Sequence, residues 1–227
     1  MTGLLLWSAT AFAEERLTLT ARWMGVEAGT ATMLAVVKDG LRDVAVTATN
    51  SAWLADLYPV DDAMQSHARV AGGAERYSAR FHEGRFLEEE DLLFLPAGVH
   101  VVRDQVVNGA RLTTDTVVTD SARHQNPQLT VRPEDPISAF YRIREANLQV
   151  GETLALPVFD GRQTVAVLAT CVRPETLPDG SLTRLIAIRG GKAGDIKGAM
   201  DLYVTADNRP VYAVIQTAAG PIRIDVQ

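Results

Sequence analysis

The sequence predicts a mainly β fold: a curved antiparallel sheet or open barrel of about a dozen strands, with one main helix at about 135–148 packed against it. Three observations predict this. Turn dipeptides recur along the chain, the runs between them are rich in Val, Thr, Leu and Ile, and one segment changes to a helical period.

The turns set the strand spacing. Asp39-Gly40, Gly72-Gly73, Glu83-Gly84, Asn108-Gly109, Asp160-Gly161, Asp179-Gly180, Asp207-Asn208 and Gly220-Pro221 punctuate the chain. Asp-Gly and Asn-Gly supply the positive φ that two-residue hairpin turns require. Between them "RLTLTARW", "DVAVTAT" and "PIRIDV" alternate apolar and polar, as half-buried strands do. "ATMLAVV", "TVAVLATCV" and "PVYAVIQT" are apolar at both parities, which predicts a covered second face.

The helix lies in "EDPISAFYRIREANL". Asp135 is an N-cap residue and Pro136 suits the first helical position, whose N–H needs no partner. At helical spacing Ile137, Phe140, Tyr141, Arg144 and Leu148 share a face, so Arg144 falls inside the apolar stripe. A guanidinium there needs a buried partner or a route to water. The expected partner is a carboxylate on a facing strand, Asp201 or Asp207, in a structural ion pair that fixes the helix.

The first thirteen residues have the form of an export signal, a short apolar run ending in Ala11-Phe12-Ala13, though without its positive n-region. Residues 14–227 then form a single β-rich domain, soluble and periplasmic. The lone Cys171 does not follow the signal, so no lipoprotein anchor is expected, and it sits in an apolar run as a core residue. No run reaches the ~20 apolar residues of a membrane-spanning helix. The net charge is −6 and no basic stripe is present, which disfavours a nucleic-acid partner.

"DPISAFYRIREANLQVGETLALPV" resembles the D-x-x-S-A-x-Y-x-x-R segment of domain of unknown function 3108, a family of exported Gram-negative proteins. "ARWMGVEAGTATM" resembles that family's opening hairpin and "DLYVTADNRPVYAVIQTAAGPIRIDV" its closing strands, with Tyr203 where a Trp is expected. The resemblance implies export and a curved antiparallel sheet with one helix. It implies no activity and carries over no functional residues.

Searching for chemistry yields little. His67, His82, His100 and His124 lack the mutual spacing of metal ligands, and neither a metal nor a cofactor is expected. "GGKAGDIKG" lacks the order of a phosphate loop and reads as a mobile hairpin loop. "LEEEDLL" reads as a solvated strand end, and no nucleophile elbow is present. The expectation is a non-catalytic binding protein for a lipid or other apolar or amphipathic envelope molecule. Phe140, Tyr141, Arg144 and Trp23 are its candidate ligand-binding residues. A carrier of this kind predicts an apolar cavity of roughly 300 Å³ or more beneath the helix. The alternative is a structural or assembly module that contacts an envelope protein, with its interior filled. A hydrolase ranks third.

Overall fold

Turn residues with positive φ close hairpin after hairpin, among them Asp39 and Gly40, Gly84, Gly109, Gly161 and Gly180. In the computed structural model, residues 13–107, 109–119, 132–190 and 199–227 are described. The expected signal and the loop after Gly190 lie outside the described residues, apart from Ala13, and so does His124.

The first arm of the sheet is β1 (Ala13–Trp23), β2 (Val26–Lys38), β3 (Leu41–Asn50), β4 (Asp61–Arg69), β5 (Ala74–Glu83), β6 (Phe86–Leu95), β7 (Gly98–Val107) and β8 (Ala110–Thr119). A four-residue helix, α1 (Ala52–Ala55), sits between β3 and β4. The second arm is β9 (Thr153–Phe159), β10 (Thr164–Thr176), β11 (Leu182–Gly190), β12 (Met200–Thr205), β13 (Pro210–Thr217) and β14 (Gly220–Val226). Helix α2 (Pro136–Glu145) connects the arms. It ends before residue 148 because Asn147 takes a left-handed conformation, φ 48°.

The fourteen strands of the described residues form one antiparallel sheet, in the order β8-β7-β6-β5-β4-β3-β2-β1-β14-β13-β12-β11-β10-β9. The sheet is open, with β8 and β9 at its ends. The arms join where β1 pairs β14, with Leu19 opposite Val226 and Trp23 opposite Ile222.

Helix α2 lies on the inner face and divides the core. Ile137 and Tyr141 pack with Leu17, Val46, Tyr77, Leu92, Val101 and Phe159. Ala139 and Ile143 pack with Leu156, Cys171, Ile186, Leu202 and Val204. The strands apolar at both parities behave differently from expectation. On β10 Ala169 and Cys171 are buried, while Leu168 and Val172 are exposed on the outer face, as is Leu34 on β2. The helix covers the inner face only.

Candidate functional site

The start of α2 is held by buried acids. Asp135 is 0% exposed; its Oδ1 accepts from Ile137 N at 2.8 Å and Ser138 N at 3.0 Å, and its Oδ2 from Ser66 Oγ of β4 at 2.7 Å. Ser138 Oγ accepts from Asp135 N at 3.0 Å, which completes a capping box. Burial pushes the Asp135 carboxyl up, against the bonds from Ser138 and Ser66 that pull it down.

Glu134 is 2% exposed and stitches three elements together. Its backbone bonds to β9 at Pro157 O and Phe159 N, both at 2.8 Å. Its Oε1 accepts from Gly73 N at 2.9 Å, and Arg142 Nε lies 3.6 Å away. Among the described residues its Oε2 has no hydrogen-bond partner, and burial raises its pKa. A carboxyl with a raised folded pKa favours folding while it is protonated, and that contribution is lost as pH rises. Stability should therefore fall as pH rises from an ordinary glutamate pKa of about 4.3. Glu134→Gln is expected to flatten this slope in urea titrations across pH. An unchanged slope would contradict the assignment.

Arg144 closes the other end. It forms a bidentate pair with Glu15 of β1, at 2.9 and 2.8 Å, and its Nε donates to Asn208 O at 3.2 Å. This corrects the expected partners. Asp201 bonds to Arg189 at 2.7 Å, because on β12 Leu202 and Val204 take the inner parity. Asp207 accepts from Thr205 Oγ1 and pairs with Arg209; the contact from its turn comes from Asn208 instead. The Arg144 guanidinium holds Glu15 below the usual carboxylate range.

Tyr141 lies between two guanidiniums, 4.4 Å from Arg42 and 5.0 Å from Arg144, and Arg42 also bonds to Glu145. Burial and the neighbouring Glu15 raise the Tyr141 phenol. Of the proposed ligand residues, Phe140, Tyr141 and Arg144 come together on α2, where Arg144 lies 5.4 Å from the Phe140 ring. Trp23 does not join them. It stands at the far end of β1 and donates to Ala219 O at 2.9 Å.

Beneath α2 its buried side chains pack into the two apolar clusters. An open volume lies at its first residue. A cleft of about 610 Å³ is bounded by Pro136, by β5–β7 and by the β9–β10 turn. Its apolar walls include Tyr77, Phe81, Phe86, Leu92 and Phe159, and its polar groups are Glu88, Glu90, Arg103, Gln105, Asp160 and Arg162.

The acidic run is therefore not simply a solvated strand end. On β6 Glu89 and Asp91 are exposed, but Glu88 and Glu90 share the inner parity of Leu92 and Phe94. Arg103 Nε donates to Glu90 at 2.8 Å, and Arg103 also bonds to Gly161 O. Burial raises Glu90 while Arg103 pulls it down, and Gln105 bonds to Glu88. Gly161 has φ 89°, and a Cβ there would lie 2.8 Å from Arg103 Nη2. With the edge contact of Phe94 and Phe159, ring centroids 6.3 Å apart, Arg103 spans the gap between the two arms.

A depression of about 400 Å³ also lies over Ala45, Gln65 and Ser78 on the outer face. His67 at its side is paired with Asp43 and Glu75 in an exposed network. The inner cleft is the one walled by aromatic rings. Among the described residues no group of three or more His, Cys, Asp or Glu is placed to hold a metal.

The family described as Protein of unknown function (DUF3108) matches residues 18–227. No curated protein matches the chain. Among solved structures, the crystal structure of a beta-barrel-like protein of domain of unknown function DUF1849 from Brucella abortus is similar, with a TM-score of 0.58 and 9% identity. The match covers 96% of each chain, and at that identity it speaks to the fold alone.

Proposed function

Since the chain belongs to the Protein of unknown function (DUF3108) family, which brings a fold without an activity, we propose from its cleft that it is an exported, non-catalytic binding protein for an amphipathic envelope molecule. The carrying observation is the cleft of about 610 Å³ between Pro136 and the arms of the open sheet. Its volume falls within the range of small-molecule sites, roughly 300–1,000 Å³.

Tyr77, Phe81, Phe86 and Phe159 offer rings to an apolar body, while the exposed Arg162 and Asp160 meet a polar end. Arg103 already pairs with Glu88 and Glu90 and bonds to Gly161, and Gln105 bonds to Glu88, so their polar groups serve the walls of the site. This favours binding over hydrolysis. The apolar packing of α2 against the sheet is the observation that favours the second reading, an assembly module contacting an envelope protein.

The test is gentle purification of the protein from its native envelope, followed by mass spectrometry without denaturation. A stoichiometric small molecule supports the reading. Its absence, under conditions that retain lipid on a control carrier, counts against it. A fluorescent fatty-acid analogue gives a second measure. Val107 lines the cleft mouth and is 38% exposed. Val107→Trp is expected to weaken binding of the analogue at least about tenfold by filling the cleft, with little effect on melting. Unchanged binding would remove the cleft from consideration.

A further inference from the structure

The two ends of the sheet are treated differently. On the outer edge of β9, Glu134 forms a parallel bridge with Val158. The outer edge of β8 pairs with nothing among the described residues. β8 contains neither Lys nor Pro, and no bulge interrupts its register with β7. Those are among the usual devices that blunt an exposed edge; the charges β8 does carry, Arg111 and Asp115, are of opposite sign and can pair across it.

The hairpin fixes which backbone groups face outward. Val107 pairs with Ala110, and a connection this short allows only a pair that exchanges both its hydrogen bonds. Ala110, Leu112, Thr114 and Thr116 therefore bond toward β7. The N–H and C=O groups of Arg111, Thr113, Asp115 and Val117 point toward the open edge.

We propose that this edge pairs with the β8 of a second copy of the chain, antiparallel about a twofold axis at Thr113. Charge selects the register. With Thr113 opposite itself, Arg111 lies opposite Asp115 of the other copy, and symmetry repeats the pair. A slip that keeps the same groups facing puts Arg111 opposite Thr113 or Val117 and leaves both charges unmatched. Like-facing groups also meet on the inner side. Leu112 is 55% exposed; in this register it stands opposite Thr114, with the two Leu112 side chains as diagonal neighbours.

Within one chain Arg111 bonds to Asp104 and Asp115 to His100, both at 2.8 Å. These are exposed pairs and compete weakly. Arg111 keeps donors for a second carboxylate.

Sedimentation of the full chain over a wide concentration range tests the proposal. The expected result is a concentration-dependent dimer. Arg111→Asp and Asp115→Arg should each weaken it at least about tenfold, and the two together should restore it. Thr113→Pro removes an edge-facing N–H while leaving the β7 ladder intact, so it should abolish association without lowering the melting temperature much. If that variant fails to fold, the charge exchange carries the test. A monomer at every concentration overturns the proposal, and so does a dimer that the charge reversals leave unchanged.

Discussion

Glu15→Ala is expected to destabilise the fold by about 3 kcal/mol, and Arg144→Met by only about 1 kcal/mol. The asymmetry follows from exposure. The Arg144 side chain is 8% exposed and that of Glu15 is 34%. Removing the glutamate strands a guanidinium where water does not reach. Removing the arginine leaves a carboxylate that can be resolvated. The double variant should be about as stable as Arg144→Met alone, which is a coupling of about 3 kcal/mol between the sites. Urea denaturation of the four proteins measures it. Equal losses in the two single variants would mean that the pair sits in effective contact with solvent.

Acid should weaken the same ion pair in the wild-type chain. The folded pKa of Glu15 is lowered by Arg144. A carboxylate of this kind contributes stability above its unfolded pKa and loses it as pH falls through the folded one. Glu15 and Glu134 therefore act in opposite directions, and the measured profile sums them with the other shifted carboxyls, Asp135 and Glu90 among them.

The second large effect is expected at Asp135. Asp135→Ala removes the cap from two helix amides and leaves the Ser66 hydroxyl buried without its acceptor. The expected cost is about 3 kcal/mol. Asp135→Asn keeps an acceptor for the amides and offers Ser66 a donor, so it should cost within about 1 kcal/mol. Thermal or urea unfolding distinguishes the two. If Asn is as damaging as Ala, the negative charge itself is required.

The local features were legible in the sequence because their causes are local. Asp135-Pro136 marks a helix start whatever surrounds it, and Asp-Gly pairs close hairpins through their own φ preferences. The place of Arg144 in the apolar stripe followed from the helical period. Its partner did not follow. Glu15 lies 129 residues away in the chain, and choosing it over Asp201 requires knowing which strand faces the helix. A clue was present: Leu17 and Leu19 point inward on β1, and Glu15 shares their parity. The same rule applied to β6 would have separated Glu88 and Glu90 from their exposed neighbours. The cleft was not legible, because its walls come from β5–β7, from Pro136 and from the β9–β10 turn. Only the open ends of a curved sheet bring these together.

The junction of β1 with β14 governs the order in which this molecule can be completed. Arg22 of β1 bonds to Asp225 of β14 across 203 positions of chain. Neighbouring hairpins can zip early, but this central seam waits until β14 has emerged from synthesis. Until then β1 presents a bare flank, a hazard for aggregation in a nascent chain. Arg144 bonds both to Glu15 on β1 and to Asn208 in the turn after β12, so its contacts are complete only when both arms are in place. Helix docking and closure of the seam are thereby coupled into one late, cooperative event.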